Sequence, residues 1–233
     1  TGNQGSHVVK YLYSCNIKDI YVVTRDVNNP RSKQFEQVFP GVKVISGDLE
    51  NKASLVEAFK TPKKDKDEKC EIVVFAMSTP SLASNGYAIS AEAEETSGRM
   101  VVEAAEEAEV THVVYSSVAD CDKENRPKYH ISKKKIEDCL KASKLSWTIL
   151  RPVSFYETWT RFSKVKSGSL TGIVHPDMRQ QWVSLHDVGA AAALVLRSYD
   201  KYKSRTLDLV ADELSGNEMA EKLTQLRKQG KFK

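Results

Sequence analysis

Cysteine is scarce in this sequence: Cys15, Cys70, Cys121 and Cys139 are the four in 233 residues, and none falls at C-x-x-C spacing. A disulfide framework and a cysteine-rich metal knuckle are therefore not expected. The five histidines (His7, His112, His130, His175, His186) lack a metal-ligand spacing such as H-E-x-x-H, so no metal is expected. No apolar run reaches the length of a membrane span and no signal-peptide pattern is present, which points to a reduced, cytoplasmic protein without membrane contact. Charge of one sign is also in short supply. Lysine plus arginine number 35 against 31 acids, a net +4 mixed along the chain, which argues against a nucleic-acid partner. The basic stretches at Lys63-Lys64 and Lys133-Lys134-Lys135 are short and flanked by acids, as solvated faces are. There is no internal repeat or low-complexity tract.

What the sequence does have begins at its first residues. Thr1-Gly2-Asn3-Gln4-Gly5, with glycines three apart, opens into the apolar pattern Val8, Val9, Leu12. A tight turn running into a helix lets backbone N–H groups and the helix N-terminus face a phosphate. Such a turn hangs from a buried strand, with a further glycine two residues before Gly2. Neither lies within the sequence, so the chain reads as a fragment that lacks the first strand.

Short β-branched runs then alternate with helical patterns. Strands are expected at 19–24, 41–46, 72–77, 113–116 and 147–152, and helices at 53–59, 91–108 and 129–142. The run 61–69 contains Pro62 and no large apolar residue and is expected as a solvated loop. This alternation predicts an α/β fold, a doubly wound parallel sheet covered on both faces, with ligands at the carboxyl ends of the strands. Beyond Pro152 the pattern loosens: a helix is expected over 155–165, a strand over 205–210, and Ser215 with Glu218 as the capping pair of a last helix. We therefore divide the chain into a nucleotide-binding domain, residues 1–152, and a smaller, partly interleaved carboxyl-terminal region, residues 153–233.

The polar residues cluster where the strands end. Arg25 closes the second strand of the pattern, where an arginine suits a ribose 2′-phosphate and an acid suits the free hydroxyl; it favours NADP over NAD, with Arg31 and Lys33 nearby. Tyr129 and Lys133 form a Y-x-x-x-K pattern on a helix, one turn apart, and Ser117 lies twelve residues upstream at a strand end. An ammonium group beside a phenol stabilises the tyrosinate and readies it to exchange a proton with a carbonyl oxygen, which Ser117 would also hydrogen-bond. The set is the catalytic candidate for hydride transfer from a reduced nicotinamide. Tyrosine and lysine four apart also occur on many helices by chance.

In order, Thr1-Gly2-Asn3-Gln4-Gly5, Val23-Thr24-Arg25, Gly47-Asp48-Leu49, Val113-Val114-Tyr115-Ser116-Ser117, Ser132-Lys133 with Glu137, Thr148-Ile149-Leu150-Arg151-Pro152 with Phe155-Tyr156-Glu157, and Asp187-Val188-Gly189 resemble the NmrA-like branch of the atypical short-chain dehydrogenase/reductases. The resemblance implies an extended Rossmann fold that binds NADP(H). Carried over by position, it implies Gly2, Asn3, Gln4 and Gly5 at the pyrophosphate, and Arg25 with Arg31 or Lys33 at the 2′-phosphate. It further implies Asp48 and Leu49 at the adenine, Ser78 and Thr79 along the middle of the cofactor, Lys133 at the nicotinamide ribose and Phe155 at the nicotinamide. It implies either a reductase of a small carbonyl or quinone, or a non-catalytic redox-sensing regulator with a protein partner. Many NmrA-like proteins lack a tyrosine at the position of Tyr129, and Val153 stands where reductases of the wider family often carry glycine.

Overall fold

A computed structural model describes residues 2–65, 70–76, 90–162, 168–169 and 175–226. The amino-terminal part runs α1 (Asn3–Ser14), β1 (Tyr21–Thr24), α2 (Pro30–Val38), β2 (Lys43–Ser46), α3 (Lys52–Asp65), β3 (Val73–Ala76), α4 (Ala91–Glu107), β4 (His112–Ser116), α5 (Lys128–Ala142) and β5 (Ser146–Pro152). Then come β6 (Ser154–Phe155), α6 (Glu157–Phe162), β7 (Gln180–Val183), α7 (Leu185–Arg197), α8 (Tyr199–Tyr202), β8 (Arg205–Leu209), β9 (Asp212–Leu214) and α9 (Gly216–Leu226).

β3, β4, β5 and β8 form one parallel sheet in that order, and β1 with β2 a parallel pair. All five residues of β4 are buried, as a central parallel strand with both faces covered must be. Alternation sorts its side chains. Val113 and Tyr115 join the cluster of α3, α4 and α5, with Leu55, Ala104, Ala105, Ile136 and Leu140. Val114 faces the other way, onto Val8 of α1 and Ala192 and Val195 of α7. The result is the three-layer, doubly wound architecture expected from the alternating pattern.

Two glycines set the helix spacing. A Cβ on Gly98 of α4 would stand 2.4 Å from Ile136 Cδ1, and one on Gly189 of α7 would stand 2.6 Å from His7 Cβ and 2.8 Å from its carbonyl carbon. Larger residues would hold these helix pairs apart. A second sheet, β6–β7–β9, carries its own cluster of Trp182, Leu214 and Met219. α9 opens with the expected reciprocal caps: Ser215 N donates to Glu218 Oε2 at 2.7 Å and Glu218 N to Ser215 Oγ at 3.1 Å.

Two expectations are corrected. The run expected as a loop from Thr61 is helical through Asp65, with Pro62 inside α3. Lys63 Nζ reaches the carbonyls of Ala108 and Glu109 at 3.4 and 3.5 Å, so the end of α3 caps the C-terminus of α4 and gains a tertiary partner that overrides the proline's local preference. Phe155 is a strand residue, paired with Val183, and the helix expected from it starts at Glu157.

Candidate functional site

The amino end of α1 meets the carboxyl end of β4. Gly2 is the N-cap, its carbonyl accepting from Ser6 N at 3.0 Å and Ser6 Oγ at 2.7 Å, with no side chain capping the first-turn N–H groups and no acid in that turn. Gln4 turns inward and is buried; Ser116 Oγ donates to its Oε1 at 2.7 Å, pinning the turn to the sheet. A Cβ on Gly2 or Gly5 would meet no atom of the described residues within 4 Å beyond its own stretch of chain, and neither glycine has positive φ. The packing of the described residues leaves these two positions open.

Arg25 follows β1 in a loop that the sequence stiffens. Asn28 N donates to Asp26 Oδ1 at 2.8 Å, and Asn29 caps α2 by accepting from Arg31 N at 2.9 Å ahead of Pro30. Arg25, Arg31 and Lys33 are exposed, and no ion pair ties them to another described residue. Asp48 follows β2 at Gly47, whose Cβ would lie 2.5 Å from Val23 Cγ1, so only glycine lets the chain leave the strand there. Asp48 N donates to Ser54 Oγ at 2.9 Å and its Oδ1 accepts from Glu50 N at 3.1 Å; Leu49 packs on the main core. Ser78 and Thr79 lie outside the described residues.

Lys133 is buried, its Nζ 2.9 Å from Glu94 Oε1 and 5.9 Å from the centre of the Tyr115 ring. Tyr129 is 48% exposed with its ring edge-on to His130. Ser117 is buried, its hydroxyl 3.8 Å from Cys121 Sγ. Phe155 sits half-buried at the start of the second sheet. The fold thus brings Asn3, Gln4, Gly5, Ser117 and Lys133 to the carboxyl end of β4, while Arg25 and Asp48 follow the carboxyl ends of β1 and β2.

A buried ionic cluster that composition did not reveal supports this edge. Glu137 accepts from Arg151 Nε at 2.9 Å and Nη2 at 2.7 Å and from Cys121 Sγ at 3.2 Å, while Arg151 Nη1 reaches Asp122 at 2.8 Å. Burial pushes the Glu137 carboxyl up, but Arg151, Ser117 and Cys121 outweigh it and hold it below the usual carboxylate range. Burial, with Glu137 adding to it, pushes the Cys121 thiol up to about 11, so it stays protonated near neutral pH. The cluster joins β5, α5 and the loop after β4, and so fixes the segment that carries Ser117. Glu94 also escaped the sequence reading. Its signal was a glutamate on the buried stripe Glu94, Gly98, Val101, Val102, Ala105, where spacing calls for an apolar residue.

Among the described residues no helix is long and apolar enough to cross a membrane.

The sequence model of the NmrA-like family matches residues 1–229, and no curated protein matches the chain. Among solved structures, the triphenylmethane reductase of Citrobacter sp. complexed with NADP(H) is 21% identical with a TM-score of 0.78, over 100% of this chain and 74% of that one. The NADPH-dependent quinone oxidoreductase of Escherichia coli, complexed with NADPH, is 20% identical with a TM-score of 0.75, over 97% and 72% of the two chains. NmrA, a negative transcriptional regulator in complex with NADP, is 16% identical with a TM-score of 0.72, over 94% and 67%. These likenesses establish the fold, which reductases and a regulator share.

Proposed function

The chain belongs to the NmrA-like family, and from there we propose that it binds NADP(H) and reduces a small carbonyl or quinone substrate. The observation that carries the proposal is the first turn of α1, where among the described residues no side chain caps the N–H groups, no acid stands, and nothing fills the space of Cβ atoms on Gly2 and Gly5. This cradle suits a pyrophosphate. Asn3 and Gln4 belong to it, with Gln4 held by Ser116. Arg25, with Arg31 and Lys33, supplies positive charge for a 2′-phosphate at the end of β1, while Asp48 and Leu49 border the adenine. Ser78 and Thr79 are assigned to the middle of the cofactor and Phe155 to its nicotinamide end by the family resemblance alone.

Bound NADPH supplies a hydride. Tyr129 then provides the proton that a reduced carbonyl or quinone oxygen takes up, Lys133 orients the cofactor, and Ser117 offers its hydroxyl to the same oxygen after turning from Cys121. The test is an NADPH titration beside NADPH oxidation over a panel of quinones and aldehydes, for the chain and for Tyr129→Phe. We expect binding in both and a loss of turnover in the variant of about 100-fold or more. Absence of NADPH binding overturns the proposal; full turnover in Tyr129→Phe removes Tyr129 from the mechanism.

One observation favours a second use of the same site, as a redox-sensing regulator with a protein partner. Tyr129 and Ile131, near the amino end of α5, are 48% and 47% exposed, so the described residues leave apolar surface uncovered there. Tight NADPH binding without turnover of any panel member, with protease sensitivity that differs between reduced and oxidised cofactor, decides for the regulator. Sensitivity that ignores the cofactor's state rules the regulator out.

A further inference from the structure

We infer that Glu94 is a positioning residue of the proposed site: it fixes where the Lys133 ammonium stands, and through Lys133 it sets the affinity for NADPH. The inference rests on the NADP(H) reading above.

Glu94 lies in the first turn of α4, its side chain fully buried, and uses both oxygens on consecutive residues of α5. Oε1 stands 2.9 Å from Lys133 Nζ, and Oε2 accepts from Ser132 Oγ at 2.7 Å. One turn further along α4, Gly98 lets Ile136 pack against the helix backbone. That close approach brings the Glu94 carboxylate within reach of α5. Lys133 is thereby directed onto the face of Tyr115, one residue before Ser116 and two before Ser117, at the sheet edge where the first turn of α1 is pinned.

Stability does not account for a charge pair here. Desolvating two ions costs about as much as their attraction returns, and well-packed apolar residues of similar volume do as well or better. The α4–α5 contact already has an apolar seam of Val101, Val102, Ala105, Ile136 and Leu140. What the pair adds is direction. A lysine on a flexible four-carbon stem holds no fixed position unless something fixes its head. Ser132 in turn fixes the carboxylate, so the ammonium is held at second remove from the helix backbone.

The test is a double-mutant cycle read in NADPH dissociation constants, for the unmodified chain, Glu94→Gln, Lys133→Met and the double variant, with Glu94→Asp as the conservative replacement. If Glu94 acts through Lys133, Glu94→Gln weakens NADPH about tenfold, and the same change costs nothing further in the Lys133→Met background. Glu94→Asp recovers part of the loss. Equal losses in both backgrounds, or an unchanged constant in Glu94→Gln, overturn the inference. Should Glu94→Gln fail to fold, Ser132→Ala removes one bond on the carboxylate and leaves Lys133 in place, and carries the same cycle, with an expected loss of about threefold that disappears in Lys133→Met. An unmodified chain that does not bind NADPH overturns the functional reading itself. A chain that binds but shows no coupling overturns only the role of Glu94.

Discussion

His112 shows how much a single buried side chain decides. It is fully buried at the start of β4, with Ser146 Oγ 2.8 Å from Nδ1 and Thr148 Oγ1 2.9 Å from Nε2. Thr148 donates its own proton to the Tyr202 carbonyl at 2.8 Å, so it accepts from Nε2–H, and Nδ1 accepts from Ser146. One donor and one acceptor are what a neutral imidazole offers, and a second ring proton would require Ser146 to turn its own proton away. Burial first, and then the Lys203 charge, push the His112 pKa down to about 4. Between about pH 6.5 and 4 the unfolded chain takes up a proton that the folded one refuses, so stability is flat above that window and falls as pH drops through it. The loss attributable to His112 is on the order of 3 kcal/mol at its largest. Urea unfolding midpoints at pH 7 and pH 4.5 check it: the drop should shrink in His112→Gln, and an equal drop in both proteins would refute the assignment. The sequence named Lys133, Ser116 and Gln4 singly, but neither Glu94 nor the pairs Lys133–Glu94 and Ser116–Gln4. Such pairs join residues far apart in the chain, and no local spacing encodes them.

At the scale of elements, local chemistry was the better guide. The β-branched runs became strands because only a covered parallel sheet buries them, and the Ser215–Glu218 pair capped α9 because its bonds are purely local. α3 ran past its expected end because Lys63 found the carbonyls at the end of α4, a contact that the run of charged residues around Pro62 does not advertise. Glycines separate the two kinds of information. Gly189 is required by packing: alanine there would drive a methyl to 2.8 Å from a backbone carbon of His7, which cannot move aside alone. Gly189→Ala should destabilise the protein by about 1–3 kcal/mol. Gly5→Ala is its counterpart. With nothing within 4 Å and ordinary helical geometry, alanine should stabilise the helix by about 0.5–1 kcal/mol. The same methyl would enter the proposed phosphate cradle, so Gly5→Ala should melt higher and bind NADPH more weakly. A variant that melts higher with unchanged NADPH affinity would show that the cofactor lies elsewhere.

For the whole molecule, parallel strands put the candidate site residues Arg25, Asp48 and Ser117 just past the carboxyl ends of β1, β2 and β4. The segment after Pro152 does not form a separate body in sequence order: α7 and β8 join the main layers, while β6, β7 and β9 build the second sheet. The sequence predicts a partly interleaved region, but loop composition marks only where the pattern loosens, not which layer each element rejoins. Asp48 and Arg25 follow the β1–β2 pair, Ser117 and Lys133 stand beside β4, and a dinucleotide bound across them, as proposed, would stabilise the native state as a whole. Binding to the folded chain alone adds about 2.7 kcal/mol at a ligand concentration 100 times its dissociation constant. NADPH and NADH differ only at the 2′ position, which the proposal assigns to Arg25, Arg31 and Lys33, all exposed without an ion pair to any described residue. At equal concentration NADPH should therefore raise the melting temperature more than NADH. Arg25→Asp should reverse the order, because a carboxylate repels the 2′-phosphate and accepts from the free hydroxyl. Equal shifts with the two cofactors in the unmodified chain would remove the arginine from the site, whereas a preference for NADPH that survives in Arg25→Asp would move the discrimination to Arg31 and Lys33.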